Sequence, residues 1–275
     1  MIYIDNSATT KQYPQVTETM MKYMEEYFGN PSSMYQLGLD SEKAVKHARK
    51  QVEEAMGAGN GTLIFTSGGI EADNTAIFGA ARALRRRGNR IITSAVEHPA
   101  VLECCKRLEQ DGYDVVYVGV DDKCRLDLEQ LEDAIDENTI LVSLMQVNNE
   151  AGTIMPVDAV KDLMKKKNAP GWFHCDAVQS FGKLQVPESA DLISVSSHKI
   201  HGPKGAGALF VRKEIHLPAL IEGGGQESGN RSGTENVPAI TGFGTAAELS
   251  AKDRDEEHQR VSVMRRALLK GLKDN

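Results

Sequence analysis

A lysine stands at the end of an apolar stretch in residues 191–209, which read DLISVSSHKIHGPKGAGAL. Leu192, Ile193 and Val195 have the character of a strand, and the glycines that follow Lys199 indicate a tight turn. A lysine held at a strand end is well placed for covalent chemistry on a carbonyl group, because its neutral amine is a nucleophile. The alternative is an ordinary solvated lysine, and the spacing alone does not decide between the two.

A glycine turn joins a predicted strand to a predicted helix in the stretch Thr66-Ser67-Gly68-Gly69-Ile70-Glu71. Free backbone N–H groups and the helix dipole at such a turn favour an anion. The stretch matches neither the GxGxxG pattern nor the GxxxxGK(S/T) loop, so a small phosphate is favoured over a dinucleotide or a nucleoside triphosphate. A tight strand–helix turn that binds nothing is the alternative.

Polar side chains stand at the ends of three more predicted strands. His98 follows one of them, and it either contacts a ligand or is a satisfied polar residue. Asn148 and Asn149 follow the next, where asparagines bind a ligand carboxylate or form a turn. Asp176 ends a third strand, with Gln179 three residues on. Its carboxylate could keep a pyridine nitrogen protonated, or it could serve as a helix N-cap.

Taken together, these residue types fit one cofactor. A phosphate cup, an aromatic side chain, an acid for a ring nitrogen and an amine for an aldehyde are what pyridoxal 5′-phosphate requires. Lys199 must be neutral part of the time to attack, so partial burial or a nearby cation should lower its pKa from about 10.4. His198 and Lys204 are close in sequence, and the sequence does not say which factor acts.

Alternating apolar and amphipathic stretches predict the elements that carry these residues. Strands are predicted at Thr62–Thr66, Arg90–Ala95, Asp114–Val118, Ile140–Val147, Trp172–Cys175, Asp191–Ser196 and Ala208–Arg212. Helices are predicted at Pro14–Phe28, Ser41–Met56, Ile70–Leu84, Pro99–Gln110, Leu128–Ile135, Val157–Lys166 and Pro238–Leu272. This order is typical of an α/β fold with a mainly parallel, mixed seven-stranded sheet sandwiched by helices. Ligands in such folds collect at the carboxyl ends of the strands, where the polar residues stand.

The composition excludes several classes of partner. Of the 275 residues, 40% are hydrophobic and 26% charged, which is ordinary for a soluble globular protein. The net charge of −7 argues against a nucleic-acid or anionic-membrane surface. No apolar run approaches the roughly 20 residues that span a bilayer, and the first residues show no signal-peptide pattern. The cysteines (Cys104, Cys105, Cys124 and Cys175) have no metal-site spacing, so we expect no metal and free thiols in a reducing cytoplasm.

Eight segments, in order along nearly the whole chain, carry a family resemblance: DNSATT, GNPSS, FTSGG-E-DN, EH, QVNNEAG, DAVQSFGK, SSHKIHGPKGAGAL and GGGQESGNRSGTENV. They resemble the cysteine desulfurases of the class V aminotransferase group. The resemblance implies a homodimer whose large domain has the pyridoxal-phosphate-dependent transferase fold of the aspartate aminotransferase type. It also implies that sulfur is removed from L-cysteine, giving L-alanine and an enzyme-bound persulfide for iron–sulfur clusters or thiolated cofactors.

The resemblance further implies a role for each matching residue. Lys199 would attach the cofactor, and His98 would stack on its ring and assist proton transfer. Asp176 would face the pyridine nitrogen. The other matches would be cofactor-binding residues: Gln179 at the ring hydroxyl, Asn149 near the substrate carboxylate, Gly69, Ile70, Ser196 and His198 around the phosphate, and Thr234 at the phosphate of the partner subunit.

Two departures from the family pattern matter. The family usually has threonine where this chain has Ile70, which removes one hydroxyl contact to the phosphate, worth about 1.5–3 kcal/mol. Family members also continue beyond this chain's end into a small domain with a nucleophilic cysteine and a substrate-binding arginine, and none of the four cysteines matches. We therefore expect an N-terminal segment associated with that domain (1–13), a cofactor-binding large domain (14–250) and the start of a truncated small domain (251–275). Such a chain would bind the cofactor without completing sulfur transfer.

Other functions remain compatible with the same residues. Another class V enzyme, such as a selenocysteine lyase or an aminotransferase, would use the same cofactor and fold. A non-catalytic partner or scaffold in sulfur trafficking is favoured by the missing nucleophile. For the desulfurase itself, a sulfur-acceptor or iron–sulfur scaffold protein is an expected partner.

Overall fold

A seven-stranded mixed sheet forms the centre of the molecule, described by a computed structural model that covers residues 2–274. Its strands are β1 (Gly61–Thr66), β2 (Arg90–Ser94), β3 (Asp114–Val118), β4 (Thr139–Met145), β5 (Trp172–Asp176), β6 (Leu192–Ser196) and β7 (Gly207–Arg212). They are ordered β1-β7-β6-β5-β4-β2-β3 across the sheet. Only β7 runs against its neighbours, so the carboxyl ends of the other strands meet at one edge. The predicted mainly parallel, mixed sheet is confirmed.

Seven α-helices connect and cover these strands within residues 2–274. They are α1 (Pro14–Glu25), α2 (Gln36–Met56), α3 (Gly69–Leu84), α4 (Pro99–Gln110), α5 (Leu128–Ala134), α6 (Val160–Lys166) and α7 (Val237–Lys273). Each corresponds to a predicted helix, and α4 has the predicted bounds. The helix predicted from Val157 begins as a 3-10 turn and becomes α-helical at Val160.

Helices cover both faces of the sheet, as the continuous apolar strands predict. Successive side chains of a strand point to opposite faces, so in β1 Leu63 and Phe65 pack on one side and Ile64 on the other. The first of these faces is covered by α2 and the start of α7, with Phe243 in edge contact with Phe65 at 6.3 Å between ring centres. The other face is covered by α3 and α4.

The start of α2 differs from the prediction. The helix begins at Gln36, five residues before the predicted Ser41, and its N-cap residue Tyr35 makes no side-chain capping hydrogen bond. The sequence therefore carries no capping signal at the true start. The C-terminus is as predicted, because Gly57 adopts a left-handed conformation (φ 63°) directly after Met56.

The two predicted domain boundaries fall in different kinds of structure. Residues 2–13 form no regular element, and the Tyr13 ring stacks on His201 with ring centres 4.3 Å apart. At the second boundary α7 continues through position 250 without a break. Its buried residues lie between Val237 and Ala247. Among residues 2–274, even this longest helix lacks the apolar character that a bilayer-crossing segment needs.

Candidate active site

The carboxyl ends of five strands surround a cavity of about 500 Å³. Nine of the ten predicted site residues line it: Gly69, Ile70, His98, Asn149, Asp176, Gln179, Ser196, His198 and Lys199. They come from segments up to 130 residues apart, which shows that the sheet topology brings them together. The tenth residue, Thr234, lies elsewhere and is described below.

Lys199 reaches the cavity from a single 3-10 turn that follows β6 (Ser197–Lys199). Gly202 closes this turn, and a side chain there would collide with Ser197, since an added Cβ would lie 2.1 Å from its Oγ. The Lys199 Nζ donates hydrogen bonds to the backbone carbonyls of Ser7 and Ala8, the latter at 3.0 Å. Burial lowers the pKa of Lys199, and the charge of Asp176 opposes this shift more strongly than that of Asp5.

Two carboxyl groups form the buried wall of the cavity. Asp176 is 6% exposed, accepts a hydrogen bond from the Val178 N–H at 2.9 Å, and forms no ion pair within residues 2–274. Asp73 on α3 is 2% exposed, and its Oδ1 has no hydrogen-bond partner among the described residues. Burial raises the pKa of both groups, and Asp176 raises that of Asp73 further. A ligand group that is positively charged or carries an N–H would provide these two carboxyl groups with the hydrogen bond and the counter-charge that they lack.

The glycine turn after β1 also lines the cavity. Gly68 precedes the first residue of α3, so Gly69 and Ile70 are in the first helical turn, where backbone N–H groups have no acceptor within the helix. A side chain at Gly69 would collide with Val178, because an added Cβ would lie 2.7 Å from its Cγ2. Ser196, 2% exposed, lies behind this turn. The arrangement favours an anion.

His98 stands at the N-cap of α4 and presents one ring nitrogen to the cavity side. Its Nδ1 accepts a hydrogen bond from the Ala100 N–H at 3.1 Å, so the neutral ring carries its proton on Nε2. His98 and Asp176 line the same cavity, and His98 acts to lower the pKa of Asp176. His98 therefore has a donor available for a ligand or a substrate proton.

The N-terminal segment closes one side of the cavity. The Ser7 carbonyl accepts hydrogen bonds from both Lys199 and the Gln179 side chain, the latter at 3.0 Å. His198 Nδ1 lies 3.1 Å from the Thr9 hydroxyl, and burial followed by the Lys199 charge lowers the pKa of His198. The sequence offers no signal for these contacts, because they join the cavity to a segment 172 to 192 residues away and two of the three are made by a backbone carbonyl.

The two asparagines after β4 have different surroundings. The Asn148 side chain is 4% exposed and fixes the loop, since its Oδ1 accepts the N–H groups of Glu150 and Ala151 and its Nδ2 donates to the Val96 carbonyl. The Asn149 side chain lines the cavity and donates to Glu150 at 2.8 Å. The turn interpretation thus fits Asn148, and the cavity position fits Asn149.

Thr234 lines a separate cavity of about 170 Å³ and is exposed. Ser67, at the start of the glycine turn, lines the same smaller cavity, together with Arg231. Thr234 therefore does not contact the main cavity of its own chain. Its expected role at a partner subunit stays a prediction.

Sequence reasoning missed a set of buried polar residues in the cavity wall and behind it. Asp73 stands within the apolar stripe of α3, and a charged residue in such a stripe was the signal that could have found it. The His174 ring lies between the hydroxyls of Ser143 (2.8 Å) and Ser194 (2.9 Å), and its Nε2 is 3.6 Å from Asp73. Burial lowers the pKa of His174 to about 3, so this imidazole is neutral.

Comparison with known proteins assigns the chain to a family. Residues 2–275 match the family described as Aminotransferase class-V. The chain is 44% identical to the cysteine desulfurase IscS of Clostridium botulinum over 274 residues, covering 98% of this chain and 68% of that protein. It is 43% identical to a putative cysteine desulfurase, IscS 1, of Bacillus subtilis, covering 99% of this chain and 72% of that protein.

Solved structures have the same fold. A NifS-like protein superposes with a TM-score of 0.95 at 40% identity, covering 99% of this chain and 76% of that chain. SspA in complex with cysteine superposes with a TM-score of 0.83 at 37% identity, covering 90% and 72%. The chain thus spans about two thirds to three quarters of the length of these proteins. It belongs to the class V aminotransferase family, in the group of the cysteine desulfurases.

Proposed function

We propose that the cavity binds pyridoxal 5′-phosphate through Lys199 and that the chain is the cofactor-binding part of a cysteine desulfurase. In the overall reaction, L-cysteine becomes L-alanine, and its sulfur passes to a thiol as a persulfide. The observation that carries the proposal is that one cavity joins an amine, a buried acid and an anion-binding helix start: Lys199, Asp176 and the Gly69–Ile70 turn. The relatives named cysteine desulfurase support the choice of substrate.

The residues of the cavity fit this cofactor. The buried Asp73 Oδ1 has no partner among the described residues, and Asp176 has no counter-ion there, so the wall favours a cationic ring nitrogen. The turn at Gly69 can pack closely on Val178 because it carries no side chain, which leaves the N–H groups of the helix start for a phosphate. Ser196, His198, Gln179 and Asn149 supply further polar groups to the same cavity.

Bound pyridoxal phosphate would supply an aldehyde for the amine and an electron-withdrawing ring that stabilises negative charge on the substrate. Lys199 is prepared for this role because burial lowers its pKa, which raises the fraction of neutral amine. The Asp176 carboxylate would hold a proton on the ring nitrogen. His98 Nε2 would contact the ring and exchange protons with the substrate, and the Asn149 amide would orient the substrate carboxylate.

The cysteines of this chain are poorly placed to accept the sulfur. Cys104, Cys105 and Cys175 are buried, and none of the four cysteines lines the cavity. Burial raises the pKa of Cys104 and of Cys105 to about 12, so these thiols stay protonated. We therefore propose that the accepting thiolate is not among these four.

We also propose that the chain acts as a homodimer. Thr234, which lies outside the main cavity of its own chain, would then reach the phosphate bound by the partner subunit.

A non-catalytic sulfur-trafficking partner is the second candidate, and the observation that favours it is that no cysteine among residues 2–274 lines the cavity. Such a protein would bind the cofactor yet release no alanine from cysteine. A desulfurase would release alanine once a thiol acceptor is supplied. Assays with cysteine and an added thiol therefore separate the two, and selenocysteine or amino-acid/keto-acid pairs test the other class V activities.

The primary test is covalent trapping at position 199. The wild-type chain is incubated with pyridoxal phosphate and borohydride, and its intact mass is compared with that of Lys199→Ala. We expect the wild type to gain one reduced cofactor and the variant to gain none. Lys204→Ala removes an exposed lysine from the loop that follows this turn; it is the matched control and should behave as the wild type. A full-yield adduct in Lys199→Ala would reject the proposal.

A further inference from the structure

An ion pair outside the main cavity supports the turn that would bind the phosphate. Arg231, in the loop between β7 and α7, donates from Nε to Glu71 Oε1 at 2.9 Å and from a terminal nitrogen to Oε2 at 3.3 Å. Both side chains are largely buried, with 24% of Arg231 and 12% of Glu71 exposed. Glu71 is in the first turn of α3, one residue after Ile70. The pair therefore lies directly beside the anion-binding turn.

Glu71 also holds the backbone of that turn. Its Oε2 accepts a hydrogen bond from the Ser67 N–H at 2.9 Å, which fixes the two residues before the helix start. Burial alone would raise the pKa of Glu71, but the hydrogen bonds from Arg231 and Ser67 lower it below its ordinary value, so Glu71 is charged. A carboxylate at a helix start is favourable with the dipole, but it repels a phosphate bound at the neighbouring N–H groups.

Arg231 is placed to cancel this repulsion without touching the ligand. It lines the smaller cavity and not the main one. Its loop is fixed from the other side by Glu227, whose buried carboxylate accepts two hydrogen bonds from Arg49 at 2.8 Å and one from the Phe65 N–H at 3.0 Å. The loop thus holds both the end of β1 and the start of α3.

We propose that Arg231 is a positioning residue of the phosphate site. It neutralises Glu71 and fixes the Ser67–Glu71 turn, so that the N–H groups of Gly69 and Ile70 can bind a dianionic phosphate. This inference rests on the proposed cofactor. It assigns to Arg231 a role that concerns the phosphate alone and not the aldehyde or the ring.

The test compares pyridoxal phosphate with pyridoxal, which has the same ring and aldehyde without the phosphate. Equilibrium binding to the 275-residue chain is followed by absorbance for wild type, Arg231→Met, Glu71→Gln and the double variant. We expect Arg231→Met to lower the affinity for pyridoxal phosphate about tenfold and to leave the affinity for pyridoxal unchanged. The affinity of the double variant for pyridoxal phosphate should recover to within about threefold of wild type. The amide oxygen of the introduced glutamine would still accept a hydrogen bond from the Ser67 N–H, and the side chain carries no charge.

Several outcomes would overturn the inference. Equal weakening of both aldehydes, or a double variant as weak as Arg231→Met, would show that Arg231 acts through packing. If Arg231→Met fails to fold, Glu71→Gln decides alone, since a reduced preference for the phosphate form in that variant contradicts the inference. Arg107→Met, which breaks the exposed Arg107–Asp111 pair, is the control and should change neither affinity. A wild type that binds neither aldehyde rejects the proposed function itself, whereas a phosphate preference that survives Arg231→Met rejects only this inference.

Discussion

Ile70 is an unusual residue for a turn that would bind a phosphate. Its side chain lines the cavity and is 61% exposed, so it contributes little to the core. We predict that Ile70→Thr binds pyridoxal phosphate at least about tenfold more tightly, because the new hydroxyl can hydrogen-bond a charged phosphate. The dissociation constant of the cofactor, measured by absorbance titration, checks this expectation.

Pyridoxal provides the control for that substitution, since it has no phosphate and its affinity should not change. Val263→Thr makes a similar change at an exposed position of α7 and should leave both affinities as in the wild type. An equal gain for both aldehydes, or no gain for the phosphate form, would show that position 70 does not contact the phosphate.

Glu97 lies under the cavity as a buried acid whose charge is costly. Its Oε1 accepts hydrogen bonds from the Ser94 hydroxyl at 2.6 Å and the Met145 N–H at 3.1 Å, while Oε2 is buried with no partner among the described residues. Burial raises its pKa to about 8. At neutral pH the folded protein therefore keeps a proton that the unfolded chain releases above pH about 4.5.

This difference makes the stability depend on pH in a defined direction. Because the native state binds more protons than the unfolded state, the free energy of unfolding falls as pH rises from about 5 to 8. We predict that Glu97→Gln removes this loss. The free energy of unfolding of the variant relative to wild type should therefore rise by about 3 kcal/mol between pH 5 and pH 8. Urea denaturation at pH 5 and pH 8 measures it. Glu103→Gln, on the exposed side of α4, should follow the wild type, and parallel curves for Glu97→Gln and wild type would contradict the prediction.

At the scale of elements, the strands were predictable because each is a short apolar run between turn residues. The carboxyl-end position of the site followed from the same alternation, since the five strands that end at the cavity run parallel to one another. The start of α2 was not predictable, because Tyr35 gives no capping signal. Element types thus follow from local pattern, and boundaries depend on caps that are not always present.

Contacts between distant segments could not be predicted from local sequence patterns. Ser7 and Lys199 are 192 residues apart, and Glu71 and Arg231 are 160 apart. All four residues lie in segments of the family resemblance, but nothing in the sequence indicates which segments pair. The family resemblance gave roles to nine residues of the cavity, but it gave none to Asp73 or Arg231, although both lie within its segments. Their surroundings are visible only from burial and hydrogen-bond partners, which depend on the folded arrangement.

At the scale of the whole molecule, stability is unevenly distributed. The sheet and the helices on its two faces share two continuous cores, whereas α7 is packed only along its first part. Its buried residues lie between Val237 and Ala247, and the apolar side chains farther on are exposed: Val261 48%, Met264 57%, Leu268 63% and Leu272 68%. A helix without tertiary packing is marginal in water, because most helical stability in proteins comes from a buried face.

We therefore predict a gradient of hydrogen exchange along α7 in the 275-residue chain. Backbone amides of residues 237–250 should be protected nearly as strongly as the sheet, while those of 262–273 should exchange orders of magnitude faster through local opening. Mass spectrometry of peptic peptides after deuterium labelling resolves the two parts. Helix α2 is the internal control, since its buried residues extend from Gly38 to Met56 and its protection should be even along its length. Uniform protection throughout α7 would contradict the prediction, because it would require a packing partner for the outer part of the helix that residues 2–274 do not provide.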